Sequence, residues 1–240
     1  MAGLTGEAKH RYVAEMFARI AGRYDLMNHL MTGGLHLRWK QQTARLTASR
    51  LTGKALDVAT GTGDLALALA KCPGIDQAVG VDLLPQMINL ARTKAHRKNL
   101  SGKMVLMLGD AHALPFPDNS FACATSGFSL RNMADLHRAL AEMVRVVRPG
   151  GRVSTLELTP MKPGKRSLLL RLYFQGLVPR IGQLVAGDRA AYTYLPQSVD
   201  YFLQADHLAS LLRELGLVNV NYQRMGFGAV TLHWGDKPLD

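Results

Sequence analysis

Cysteine is scarce: Cys72 and Cys123 are the only two in 240 residues. They are too few for a disulfide framework and lack metal-ligand partners at useful spacing, which points to a reducing compartment, the cytoplasm. Long apolar runs are missing as well. The longest stretches free of Asp, Glu, Lys and Arg, at 26–37 and 119–130, hold 12 residues each, well under the ~18 that a membrane-spanning helix requires. No apolar run near the start ends in a small-residue cleavage site of the secretory kind. His10, His29, His36, His96, His112, His137, His207 and His233 show no metal spacing, so no metal site is expected. Internal repeats and low-complexity segments are absent.

Acidic residues are under-represented, 18 against 29 Lys and Arg, for a net charge of +11. Such a balance points toward phosphate, a membrane surface or an anionic ligand rather than toward any fold. The excess is uneven. Residues 1–50 carry 8 basic and 3 acidic groups and residues 161–189 carry 6 and 1, while 51–160 is near balance at 12 against 9. A near-neutral core flanked by two basic segments that can meet in space is the organisation this predicts.

From Glu7 to about Leu51 apolar residues recur three and four apart, giving amphipathic helices broken near Gly33-Gly34. Short buried strands then alternate with helices. The strands are 54–59, 78–81, 104–108, 121–125 and 153–158; the helices between them are 64–70, 85–97 and 135–147. Five strands in this rhythm predict a parallel, doubly wound α/β sheet. Beyond them a basic helical stretch, 162–186, with Leu168, Leu169, Leu172, Phe174, Leu177 and Val178, reads as a cap, followed by an aromatic loop holding Tyr192, Tyr194 and Tyr201. A last helix (206–215) and two strands (218–222 and 229–234) close the chain. The expected division is a helical extension or lid (1–50), an α/β core (51–160), a helical cap (161–205) and a helix with a strand pair completing the sheet (206–240).

In an open parallel sheet ligands bind beyond the carboxyl ends of the strands. After the first strand stands Asp57-Val-Ala-Thr-Gly61-Thr62-Gly63-Asp64, whose glycines admit a ligand close to the backbone and whose following helix offers free N–H donors. Gly61-x-Gly63-x-x-Ala66 also satisfies the dinucleotide fingerprint, with Asp82 nineteen residues after Gly63. Asp57 favours a different ligand, because a carboxylate there attracts a cationic amino group and repels a pyrophosphate. Asp82 can take both ribose hydroxyls and Asp110-Ala111 an adenine amino group; together these describe S-adenosylmethionine.

Those strings, with Leu114-Pro-Phe-Pro-Asp118 and Arg148-Pro-Gly-Gly151, resemble the motifs of class I methyltransferases in order. Tyr24-Asp-Leu-Met-Asn28, Phe128-Ser-Leu-Arg131-Asn132, Pro179-Arg-Ile-Gly182 and Tyr194-Leu195 resemble, more specifically, the ubiquinone/menaquinone biosynthesis C-methyltransferases. The resemblance implies a seven-stranded, Rossmann-like sheet with a terminal antiparallel strand. It implies methyl transfer from S-adenosylmethionine to a ring carbon of a prenylated quinol, demethylmenaquinol or the ubiquinone-pathway benzoquinol, with S-adenosylhomocysteine released. Asp57, Gly61, Thr62, Gly63, Asp82, Asp110 and Ala111 are the cofactor candidates. Tyr24, Asn28 and Phe128 are the substrate candidates. Serine at 129 stands where the family usually has glycine, and Gly127 stands where some members use a cofactor-contacting serine.

A quinol hydroxyl, with a pKa near ~10, must lose its proton as the ring carbon attacks. Arg131 is expected to favour the oxyanion as a fixed cation and Asn132 to orient the oxygen or a water, with Tyr24 and His36 as lesser candidates for the base. The two basic segments are expected to form a lid that holds the polyprenyl tail and touches anionic lipid. Two rival readings remain: an NAD-dependent oxidoreductase, resting on the glycine turn and Asp82, and an RNA-binding or RNA-modifying protein, resting only on charge. Oligomeric state is silent in the sequence.

Overall fold

A computed structural model describes residues 5–161, 173, 176 and 178–239. Much of the expected cap, including Leu168, Leu169, Leu172, Phe174 and Leu177, lies outside the described residues.

Helices α1 (Gly6–Ile20), α2 (Tyr24–Thr32) and α3 (Leu35–Thr47) open the chain, with a 3-10 turn at Ala21–Arg23 between the first two. The break falls at Gly33 and Gly34, both left-handed at φ 55° and 79°. At Gly34 a Cβ would stand 2.9 Å from the His29 ring, so glycine is needed there on two counts.

The alternating region builds β1 (Gly53–Val58), α4 (Asp64–Ala70), β2 (Ile75–Asp82), α5 (Pro85–Arg97), β3 (Met104–Leu108), β4 (Phe121–Gly127), α6 (Leu136–Val146) and β5 (Val147–Leu158). Two described cap helices, α7 (Val178–Ala186) and α8 (Arg189–Asp200), precede α9 (Ala205–Glu214), β6 (Val218–Met225) and β7 (Val230–Asp236). The seven strands lie in the order β3-β2-β1-β4-β5-β7-β6. β7 runs antiparallel to both neighbours while the other pairs are parallel, as the sequence leads one to expect. The chain reverses direction across the sheet between β1 and β4, and the crevice above that switch point is where an open α/β sheet takes its ligand.

Period-two alternation sends neighbouring strand residues to opposite faces. Leu56, Val58, Val79 and Val81 pack on the side of α6 and α9 with Leu140, Met143, Leu208 and Leu212. Ala55, Ala78 and Cys123 pack on the other side with Leu65 and Leu69 of α4, Ile88 and Ala91 of α5, and Ala44 of α3. A third, smaller core unites Met16 and Ile20 of α1 and Met27 of α2 with Val178, Ala191, Tyr192 and Tyr194. The ends of the helical extension therefore part company: α3 belongs to the sheet, α1 and α2 to the cap.

Two expectations about local structure are corrected. Tyr192 and Tyr194 sit in helix α8 rather than in a loop, and Tyr201 follows its end. Asp188 caps that helix by accepting from the Ala191 amide at 2.9 Å, and burial of Ala191, Tyr192 and Tyr194 against α1 and α2 outweighs the internal Pro196. Strand β5 starts at Val147 and absorbs the Arg148–Gly151 turn through a register shift opposite Phe121 and Cys123.

Candidate active site

Two cavities lie above the switch point. The smaller, about 130 Å³, is floored by Ala59, Gly61, Asp82, Asp110, Ala111 and Gly127 from the ends of β1 to β4. The larger, about 220 Å³, is walled by Met16, Ile20, Met31, Trp39, Leu158 and Tyr192, with Asn28 and Arg131 among its polar groups. Phe17, Tyr24, Phe128 and Asn132 line both. A molecule in each would face the other across these four side chains.

The floor of the smaller cavity is held in shape by its own polar groups. Asp82 is buried, its Oδ2 accepts from the Gly61 amide at 2.7 Å and its Oδ1 from the Leu84 amide at 3.0 Å. Each carboxylate oxygen keeps a lone pair for a ligand hydroxyl. Burial pushes the Asp82 carboxyl up, against the backbone donors that hold it down. Ala59 and Phe128, both lining this cavity, have φ of 52° and 60°, left-handed conformations that cost a non-glycine residue roughly 1–3 kcal/mol. At Phe128 the peptide is pinned at both ends: its amide donates to Leu156 O at 2.7 Å and its carbonyl accepts from Arg131 at 2.8 Å.

Of the seven cofactor candidates, Gly61, Asp82, Asp110 and Ala111 face the cavity and three stand behind it. Asp57 does not line the cavity: the residue is 1% exposed and its carboxylate oxygens accept from Thr60 Oγ1 (2.6 Å), Thr125 Oγ1 (2.8 Å) and the Ala66 amide (3.1 Å). Burial raises its pKa to about 6. Thr62 likewise serves the frame, donating to Asp25 Oδ1 at 2.6 Å and accepting from Lys94 Nζ at 2.8 Å. Gly63 is left-handed at φ 83°, and a Cβ there would stand 2.8 Å from Ala91 Cβ, so it serves helix packing.

This arrangement fits an S-adenosyl ligand and disfavours a dinucleotide. Helix α4 gives its Ala66 amide to the Asp57 carboxylate and carries Asp64, paired with Lys40 and Lys94, in its first turn, so a pyrophosphate would find this helix start already engaged. Gly61 presents open space where a Cβ would be. Asp82 would hold the ribose, Asp110 and Ala111 the adenine edge, and the Ala59–Gly61 and Gly127 backbone the amino-acid end.

At the adenine end the structure brings His10 of α1 beside Asp110 and His112, their ligand atoms within 4.8 Å of one another, a grouping that spacing along the chain does not show. The Asp135 amide donates to His112 Nε2 at 3.2 Å, which places the ring proton on Nδ1, 2.7 Å from Asp110 Oδ1. Both His112 nitrogens are thereby engaged, and Asp110 and His112 read as a hydrogen-bonded clasp beside the His10 ring, whose centroid is 6.2 Å from that of His112. Although burial opposes it, His112 holds the Asp110 carboxyl below its usual range.

Arg131 lies at the wall of the larger cavity, but not as an isolated cation. Its Nη1 pairs with Glu157 Oε1 at 2.5 Å, its Nε donates to Ser198 Oγ at 3.2 Å, and its amide donates to Glu157 Oε2 at 3.3 Å. Glu157 is fully buried. Sequence reading missed it, although the signal was there: a single acid in the strand Val153-Ser-Thr-Leu-Glu157-Leu158, where a charge must find a partner. Asn132 Oδ1 accepts from Tyr194 OH at 3.2 Å.

Sequence reading also missed the ion network under the glycine turn. Asp64 pairs with Lys40 of α3 at 3.0 Å and Lys94 of α5 at 2.6 Å, and Lys94 reaches Asp25 of α2 at 2.7 Å. Burial alone would raise Asp64, but the two lysines hold it down at about 2.

The model of the ubiE/COQ5 methyltransferase family matches residues 5–237. A demethylmenaquinone methyltransferase of Thermus thermophilus is 42% identical over 224 residues, 93% of this chain and all of that protein. One of Deinococcus radiodurans is 44% identical, over 95% of this chain and 94% of that one. Among solved structures, an S-adenosylmethionine-dependent methyltransferase of Thermotoga maritima, described as a possible histamine N-methyltransferase, superposes with a TM-score of 0.65 at 20% identity, covering 94% of this chain and 99% of that one.

Proposed function

From the chain's membership of the ubiE/COQ5 methyltransferase family, we propose that it methylates a ring carbon of a prenylated quinol, demethylmenaquinol, in isoprenoid quinone biosynthesis. It is an S-adenosylmethionine-dependent methyltransferase. The observation that carries the substrate reading is the pair of cavities with a shared wall, one floored by backbone and carboxylates, the other apolar and large enough for a fused ring with the start of its tail.

When bound, S-adenosylmethionine supplies a methyl group on a sulfonium. Asp82, Asp110 and Ala111 hold the nucleoside, and Gly61 lets it approach. Asp57, Thr62 and Gly63 act as positioning residues that keep the turn in place. Phe17, Tyr24 and Phe128 exclude water from the junction, where phenolate and sulfonium neutralise each other. Alignment of ring carbon and methyl there can supply up to ~7–11 kcal/mol. Arg131, its charge paired with Glu157, acts as a fixed hydrogen-bond donor at the cavity wall, and Asn132 orients the ring oxygen at the junction; Asn28 lines the same cavity.

No described helix is long and apolar enough to cross a membrane. The tail must still arrive from lipid, and the rim of the larger cavity carries exposed apolar groups suited to that: Phe227 at 77% and Leu35 at 42% exposure line it, with Leu26, Leu30 and Leu37 exposed on the neighbouring helices. Arg23 and Arg38 belong to the same basic N-terminal segment. The proposal is salt-sensitive docking on anionic membrane, with 1–50 and 161–205 as lid and cap over the 51–160 core. Binding to anionic liposomes that is unchanged between low and high salt would count against it.

The deciding experiment transfers label from methyl-labelled S-adenosylmethionine to reduced short-chain demethylmenaquinone and, in parallel, to the reduced ubiquinone-pathway benzoquinone. Label in the naphthoquinol is expected. Label only in the benzoquinol moves the enzyme to the other pathway, and label in neither sinks the quinol reading.

A further inference from the structure

Resting on that reading, we propose that His36 accepts the proton of the quinol hydroxyl next to the ring carbon that takes the methyl. His36 lies in the first turn of α3, is 4% exposed and lines the larger cavity. Both of its ring nitrogens are buried without a hydrogen-bond partner among the described residues. An imidazole always has one donor and one acceptor or two donors to satisfy. Leaving such groups dry opposes folding. A fold that keeps two on one ring at a cavity wall has left them for a ligand. The same wall holds a second orphan, the Tyr192 hydroxyl, also buried and unpartnered. One imidazole and one phenol left unsatisfied in the wall of a single cavity match a ring carrying two hydroxyl groups.

The surroundings favour the neutral, accepting form. Burial lowers the His36 pKa to about 4, with Lys40 on its own helix and His29 of α2 adding to the fall and Asp64 of α4 and Asp25 of α2 opposing it. His29 stands edge-on to the ring with centroids 6.3 Å apart. An imidazole kept neutral at pH 7 has its acceptor nitrogen open to the hydroxyl. Burial weakens it as a base, but that hydroxyl turns strongly acidic as the ring carbon takes up the methyl, and proton transfer by a positioned side chain contributes about 10²–10⁴-fold.

The bookkeeping of atoms closes. The ring carbon forms its bond to the methyl as the sulfur–methyl bond breaks with its electron pair left on sulfur, and the hydroxyl proton passes to His36 as that oxygen becomes a carbonyl. Loss of the ring carbon's own hydrogen to water as a proton restores the aromatic ring, and His36 returns its proton to the oxygen. One proton is released overall.

The test uses the full chain. His36→Ala is expected to lose about 10²–10⁴-fold in kcat/KM with demethylmenaquinol, while calorimetric affinity for S-adenosylhomocysteine stays within threefold. His36→Gln keeps hydrogen bonding without basicity, and is expected to recover KM but not kcat. Should either variant misfold, the parent chain labelled with ¹⁵N-histidine decides the matter. With S-adenosylhomocysteine bound, saturating reduced short-chain menaquinone is expected to shift the ring nitrogens of one buried histidine, the signal absent from whichever His36 variant folds. A parent that methylates the quinol while His36→Ala stays within threefold of it, or a saturated complex with unmoved ring nitrogens, overturns the role of His36 alone. A parent that neither binds nor methylates the quinol overturns it together with the reading on which it rests.

Discussion

The floor and the cap of the active site solve the problem of buried polarity in opposite ways. On the floor every carboxylate has found backbone or hydroxyl donors before any ligand arrives: Asp57 has three, Asp82 two. Under the cap, at the wall of the larger cavity, the ring of His36 on α3 and the hydroxyl of Tyr192 on α8 have none among the described residues. The floor is thus preorganised by the strand ends, whereas the cap completes its hydrogen bonding only with a guest inside. One half binds with little rearrangement, and the other gains most from its ligand.

The largest way to break this contrast is at the seam. Glu157→Ala leaves Arg131 buried without its counter-charge and is expected to cost about 3–5 kcal/mol of stability, read as a lower urea midpoint. The paired replacement Arg131→Met with Glu157→Leu should recover most of that stability while methyl transfer stays lost, separating the pair's structural from its chemical part. On the floor, Asp82→Ala removes two charge-assisted hydrogen bonds at roughly 1.5–3 kcal/mol each. S-adenosylhomocysteine should bind at least about 100-fold more weakly by calorimetry, and the melting temperature should fall because the Gly61 and Leu84 amides lose their acceptor. In the cap, a Cβ on Gly182 would stand 2.3 Å from the Tyr192 ring, so Gly182→Ala is expected to cost about 1–3 kcal/mol through overpacking and to raise the quinol KM without touching cofactor affinity.

The smallest signature is in pH. Asp57 titrates near 6 in the fold against about 3.9 unfolded, so folding favours its neutral form. Its contribution is complete below about pH 4 and is lost as pH rises through about 6. Across that window the urea midpoint of the parent should fall relative to Asp57→Asn; parallel curves would show that the site stays ionised.

The floor was legible in the sequence because its parts are local. A strand, a glycine turn and a helix follow one another within Gly53–Ala70, and the acids closing β2 and β3 stand where the topology needs them. Even there the spacing did not tell which acid lines the cavity: Asp57 stands behind it because the Thr60 and Thr125 hydroxyls and the Ala66 amide hold its carboxylate, and Thr62 because Asp25 and Lys94 engage its hydroxyl. The cap was less legible. Its packing joins residues far apart in the chain, such as Tyr12 with Tyr194 at 5.6 Å between ring centroids, and an amphipathic helix does not announce its partner. Glu157 and His36 carried a faint signal, a lone polar group in an apolar setting, but the partner of one and the solitude of the other exist only in three dimensions.

The wall shared by the two cavities has a thermodynamic consequence. Phe17, Tyr24, Phe128 and Asn132 cannot settle against one guest without presenting an altered surface to the other, and the Asp25–Thr62 hydrogen bond ties the helix carrying Tyr24 to the glycine turn. The two binding equilibria are therefore linked, and linkage is reciprocal. Whatever factor the methyl donor contributes to holding the quinol, the quinol returns to the donor, and the same reciprocity binds the two products. Product release is then a joint event written into four side chains.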